Sequence, residues 1–181
     1  MAGGAEKLIV DIVPRLRQKG LEFDVCLFNG MNTSFKQQLQ TCGCKIYDLS
    51  YDERYYTPIK IFKLWRIMRH YDIVHTHNTA PQLFAAIASI FCSTVLFTTE
   101  HNTTNRRRAW NWYPNFIDKW MYNQYRSIIC ISNQTEFNLR KSFRGCKAMV
   151  TTIFNGIDVD QFHTAEPVCY NTNRKICVMV A

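Results

Sequence analysis

The sequence predicts an α/β fold, an open parallel sheet with helices packed on both faces. Three observations carry that expectation. Short, continuously apolar runs alternate with segments whose apolar residues recur at helical spacing; apolar strands separated by helices belong to parallel sheets covered on both sides. A glycine pair, Gly3-Gly4, opens the first amphipathic helix, and the backbone N–H groups of a helix start can cradle a phosphate. Polar residues rich in His and Asn follow the apolar runs in succession, at the strand ends where open parallel sheets bind ligands.

The elements follow in order. Leu8, Ile9, Ile12, Val13 and Leu16 share one helical face. Pro14 should kink that helix, because it cannot donate to the carbonyl of Val10, and Gly20 should end it. Phe23 to Phe28 reads as a buried strand closed by Asn29-Gly30, Thr33 to Gln40 as a short helix, and Lys45 to Leu49 as a strand. A tyrosine-rich loop precedes a helix from Pro58 to about His70. Ile61, Leu64, Trp65 and Met68 are expected inside it, and Lys60, Lys63, Arg66 and Arg69 outside. Asp72 to His75 is a strand, Pro81 to Phe91 a helix, and Thr94 to Thr98 a strand. Tyr113, Phe116, Ile117, Trp120 and Met121 recur at helical spacing and are read as core packing in preference to a lipid-binding face. Ser127 to Ile131 is a strand, Ser132 caps the next helix with Glu136 in its first turn, and Ala148 to Phe154 is the last strand before an irregular stretch.

Composition bounds what this fold can serve. The 181 residues, 47% of them hydrophobic, suffice for one domain with a core and argue against disorder. The formal charge is +8, and residues 106–147 carry nine basic against two acidic side chains. That excess favours a phosphate, an acidic membrane surface or nucleic acid as partner, or is a solvated basic face. No recognition motif supports nucleic acid, which is not expected. Eight cysteines occur without a CxxC pair, against a zinc ribbon or a thioredoxin-like site. With no signal peptide, they read as thiols in a reducing cytosol. The most apolar stretch, Leu83 to Phe97, is shorter than the roughly 20 residues of a spanning helix.

The polar clusters are His75, His77 and Asn78; Glu100, His101 and Asn102; Ser132 and Asn133; and Asn155, Gly156 and Asp158. With Gly3 and Gly4 they should line one edge of the sheet. His75, His77 and His101 could form a three-histidine metal site, but His75 falls within its strand, and no metal is expected. Singly, His101 is a loop histidine and Asn155-Gly156 a turn.

Together, Gly3-Gly4-Ala5-Glu6-Lys7, Asp72-Ile73-Val74-His75-Thr76-His77-Asn78, Thr99-Glu100-His101-Asn102, Ile131-Ser132 and Asn155-Gly156-Ile157-Asp158 with Phe162 resemble the N-terminal domain of the retaining GT-B glycosyltransferases of the family-4, or group 1, type. The resemblance implies a Rossmann-like domain holding the acceptor, facing a second domain that holds most of a nucleotide-sugar donor. It implies hexosyl transfer to a glycan or lipid-linked acceptor, as in polysaccharide biosynthesis, with retained configuration and no metal or other cofactor. It assigns Gly3 and Gly4 to the donor phosphates and His101 to the transferred sugar as the catalytic residue. His77, Asn78, Glu100, Ser132, Asn155, Gly156 and Asp158 fall to the acceptor side or the cleft. Arg106, Arg107 and Arg108 would meet an anionic membrane or lipid diphosphate, consistent with a cytoplasmic protein peripheral on the inner membrane face.

Residues 1–165 are then the acceptor-side domain, and 166–181 a linker and the first strand of a donor domain. Only Met1 and Ala2 precede the glycines, so the chain reads as a fragment missing the family's first strand. The resemblance places that strand centrally, between those at Phe23 and Asp72. A gap there implies marginal stability, and Lys175–Ala181 is a candidate to fill it. An isolated fragment of this kind is expected to be inactive. The alternative is a non-catalytic module that binds a glycan, a membrane or a partner, such as one half of a split glycosyltransferase.

Overall fold

The computed structural model describes residues 4–51, 54, 56–102 and 115–160. Lys175–Ala181 lie outside them. Helix α1 (Gly4–Gln18) leads to strand β1 (Val25–Leu27), α2 (Ser34–Thr41) and β2 (Ile46–Asp48). Then come α3 (Ile59–Met68), β3 (Ile73–His77), α4 (Thr79–Ala88) with a 3₁₀ turn at Ser89–Phe91, and β4 (Val95–Glu100). The order closes with α5 (Asn115–Asn123), β5 (Ser127–Cys130), α6 (Asn133–Ser142) and β6 (Met149–Thr152).

Local chemistry accounts for the element ends. Helix α1 runs unbroken through Pro14 and stops where Gly20 takes a φ of 83°. There the Leu21 N–H donates to the Leu16 carbonyl and the Gly20 N–H to that of Arg17, the paired bonds of a Schellman cap. Thr33 and Ser132 cap α2 and α6, accepting from the N–H groups of Lys36 and Thr135.

All strand pairs are parallel, but they form two sheets, β1-β2 and β3-β4-β5-β6. The break falls between β1 and β3, where the resemblance placed a central strand. One core still spans both sheets. Phe28 and Leu49 beside the small sheet join Leu64 and Met68 of α3, the alanines of α4, Leu96, Ile128, Met121, Tyr122, Leu139 and Phe143 in a single cluster. Helices α3 to α6 therefore share one side of the strand layer. Helices α1 and α2 occupy the other, where Val10, Val13 and Leu39 pack with Cys44, Val25 and Ile46. That second cluster sits over β1-β2, which leaves Ile73 and His75 of β3 exposed.

Two expectations about helix faces are corrected. Lys60 is buried, while Ile59 and Phe62 face outward. The Lys60 ammonium donates to the Arg54 carbonyl at 2.5 Å, so its methylene stem can line the core with the charge still hydrogen-bonded. In α5, Met121 and Tyr122 are core residues, but Phe116 is exposed and Asp118 buried. Among the described cysteines, Cys26, Cys42, Cys44, Cys92, Cys130 and Cys146 are free thiols. Burial, followed by the nearby carboxylate of Asp48 or Glu100, pushes the Cys26 and Cys130 thiols up to about 12, so both are inert at neutral pH.

Candidate functional site

Strand register assembles the site. His77 pairs with Thr99, Thr99 with Ile129, and Ile129 with Thr151. The residues just beyond these positions emerge at one carboxyl rim: Asn78, His101, Ser132 and Asn155. Three inter-strand spacings make this rim about 14 Å long.

Its centre is a histidine row. Successive side chains of a strand alternate between faces, so His75 and His77 point the same way, and their rings stack with centroids 4.4 Å apart. His77 Nδ1 lies 2.9 Å from His101 Nε2, and His75 Nε2 lies 2.8 Å from Thr99 Oγ1. Of the two nitrogens joining His77 and His101, one donates and the other accepts, which requires at least one neutral ring. The surroundings favour two. Burial, then the neighbouring histidine charges, holds His77 down to about 3. Partial desolvation against its neighbours, then the His101 charge, lowers His75 to about 4, although the residue is exposed at the strand edge. Burial lowers His101 as well, and the Glu6 carboxylate partly offsets it.

Glu6 stands in the first turn of α1, so that helix start lies within electrostatic reach of His101. Gly4 is exposed, and a Cβ built on it would meet nothing within 4 Å. The backbone there is open to an incoming group. Gly3 lies outside the described residues. Asn78, between β3 and α4, has φ 72° and ψ 160°, a region that is essentially glycine-only and costs about 1–3 kcal/mol. Strain of this kind marks a position whose backbone is held by its surroundings.

The sequence profile of glycosyltransferase family 4 matches residues 2–161. The chain belongs to glycosyltransferase family 4. Its fold is that of an N-terminal GT-B glycosyltransferase domain. Anabaena Alr3699/HepE, solved in complex with UDP, superposes with a TM-score of 0.65 at 18% identity, over 88% of this chain and 43% of that one. A glycosyltransferase from Rickettsia africae ESF-5 gives 0.64 at 18% identity, over 92% and 44%. A Listeria monocytogenes protein described as a putative UDP-N-acetylglucosamine 2-epimerase gives 0.54 at 16%, over 77% and 40%. The chain thus spans less than half the length of these structures. No curated protein matches it significantly.

The remaining expected residues of this family 4 chain divide. Ser132 is at the rim, but its hydroxyl accepts from the Thr135 N–H at 3.2 Å as the cap of α6. Asn155 and Gly156 are exposed beyond β6. Asp158, in the segment after β6, is paired with Arg15 of α1 at 2.5 Å in a solvent-exposed ion pair. Glu100 departs from the expected rim. Its carboxylate is buried beneath the sheet and accepts from Gln82 Nε2 at 2.7 Å and Tyr122 Oη at 2.5 Å. The cause is strand parity, since β4 runs through Glu100 and puts it on the face of Leu96 and Thr98. Arg106, Arg107 and Arg108 lie outside the described residues.

Gln82 and Tyr122 were not singled out from sequence, although a lone amide within the apolar helix Thr79–Ala88 was a usable signal. Among the described residues no group of three His, Cys, Asp or Glu is arranged to hold a metal, and no helix is long and apolar enough to cross a membrane.

Proposed function

We propose that this chain supplies the acceptor-side half of a cleft in which a sugar passes from a nucleoside-diphosphate donor to a glycan or lipid-linked hydroxyl with retention. The His77–His101 pair, 2.9 Å apart at the rim and beside the start of α1, carries the reading. A neutral pair can offer and receive hydrogen bonds without placing a cation against the anomeric carbon, where positive charge grows during transfer. With His101 Nε2 engaged by His77, His101 Nδ1 is the atom left to meet a sugar hydroxyl. The open backbone at Gly4, with Gly3 before it in the chain and the helix dipole behind it, would hold the departing diphosphate. The acceptor hydroxyl enters on the face the diphosphate leaves, so configuration is kept, and its proton passes to the leaving phosphate oxygen. No cofactor or metal is assigned a step.

The solved relatives support the donor class, since HepE binds UDP and UDP-glucose in its structures. Residues 166–181 would then lead into the half that grips most of the donor.

Titration of the labelled chain with UDP-glucose, read by amide and imidazole NMR, tests the reading. Shifts should concentrate at Gly4, Glu6, His77 and His101. Shifts confined to residues remote from the rim, or none at millimolar ligand, would refute it. One half of a split transferase would give the same shift map but turn over donor only after its partner is added.

A further inference from the structure

Helix α3 carries a surface that the cleft does not use. Ile59, Phe62, Arg66 and Arg69 are all exposed and fall at i, i+3, i+7 and i+10, one stripe of a helix. Ile59 is 55% exposed and Phe62 52%, although Lys60 between them is buried. The stripe continues onto the 3₁₀ turn, where Ile90 is 58% exposed and Phe91 67%. The two pieces are joined: Trp65 Nε1 donates to the Phe91 carbonyl at 3.0 Å, the Phe62 and Trp65 rings lie 5.5 Å apart, and the Arg69 guanidinium sits 5.7 Å from the Trp65 ring. Beside them is a depression of about 550 Å³, lined in part by Trp65, Arg69, His70 and Phe91, with Asp72 its one acid. Helix α3 carries no carboxylate; of its three cations Lys60 is buried and Lys63 donates to the Leu49 carbonyl, which leaves Arg66, with Arg69 at the helix end, to face outward.

Clustered exposed apolar side chains mark an interaction surface. Aromatic and branched residues interleaved with arginines suit one partner in particular, the headgroup boundary of an anionic bilayer, where rings enter the acyl edge while guanidinium groups stay with phosphates. We propose that α3 and the Ser89–Phe91 turn form a membrane-docking face for an anionic lipid surface. The excess positive charge of the chain, +8, acts in the same direction. The stripe lies along α3, outside the rim that holds His77 and His101, so a docked chain keeps its cleft open. The inference stands whether or not the acceptor is lipid-linked, and differs from an anion contact at Arg106–Arg108.

Co-sedimentation of the full chain with phosphatidylglycerol/phosphatidylcholine vesicles, against pure phosphatidylcholine, tests it. Binding should require the anionic lipid and weaken with salt. Arg66→Gln with Arg69→Gln should weaken it about 25-fold, fivefold per cation near such a surface. Phe62→Ser with Phe91→Ser should weaken it at least tenfold, with thermal unfolding unchanged because all four side chains are exposed. Absence of vesicle binding by the wild type overturns the proposal. So does binding by both double variants that equals the wild type's, or binding lost only when Arg106, Arg107 and Arg108 are neutralised. Self-association removed by Phe62→Ser and Phe91→Ser, without lipid binding, would assign the face to a second copy instead.

Discussion

The histidine row makes the fold sensitive to mild acid, and His77 is the residue through which to test it. Folded, His77 binds a proton only near pH 3; unfolded, it does so near 6.5. Below about pH 6.5 the unfolded chain therefore takes up a proton that the folded chain refuses, so stability is full above that pH and falls as pH drops toward 3. At pH 5.0 the unfolded ring is about 1.5 pH units below its midpoint while the folded ring is still neutral. At about 1.4 kcal/mol per unit, this one group removes about 2 kcal/mol of stability relative to pH 7.5. That is a large part of a net stability of about 5–15 kcal/mol. His75 is lowered too, but the residue is exposed at the edge of β3, so solvent screens it and its share is smaller. The assay is urea unfolding followed by circular dichroism at pH 7.5 and 5.0, for the wild type and His77→Gln. Titrations common to both proteins cancel, and the wild type should lose about 2 kcal/mol more than the variant between the two pH values. Equal losses, or an imidazole ¹⁵N signal showing His77 protonated in the folded protein at pH 5, would refute the argument.

Three further outcomes are expected. The Val95 N–H donates to the Asp72 carbonyl, so the alternation of a parallel ladder turns the Val74 and Thr76 backbone toward β4 and that of Ile73, His75 and His77 toward the open edge. In hydrogen exchange, the amides of 74 and 76 should be protected and those of 73, 75 and 77 should exchange quickly; uniform protection would show that something fills the gap. A Cβ on Gly30 would lie 2.4 Å from Asp48 Cγ, and Asp48 is held by Lys36 at 2.6 Å, so Gly30→Ala should lower stability by about 1–3 kcal/mol in urea unfolding. Asn78→Gly should raise it by about 1 kcal/mol, by relieving the strained backbone; a loss in the same measurement would mean that the asparagine side chain outweighs that strain.

Local periodicity was enough to set the elements and the rim at which the polar clusters emerge. Helical and strand periodicity record burial within a few residues, which places Thr33, Ser132 and Gly20 at helix ends. Parallel strands joined by helices must all finish at one rim, so His77, His101 and Asn155 could be assigned to a common edge before any contact was known. Parity was legible too. Once β4 extends to Glu100, that residue shares the face of Leu96 and Thr98, and ending the strand at Thr98 concealed this. Which rings touch, where the sheet breaks and which hydrophobes stay outside follow from long-range contacts alone. The 2.9 Å contact of His77 with His101 depends on the register of strands far apart in the chain. The division into β1-β2 and β3–β6 depends on which edges find a partner. Lys60 can lie inside because the Arg54 carbonyl receives its ammonium, while Phe62 stays outside. Local pattern encodes how a segment meets an average interior, whereas register, pairing and the satisfaction of a buried charge are properties of particular neighbours brought together by folding.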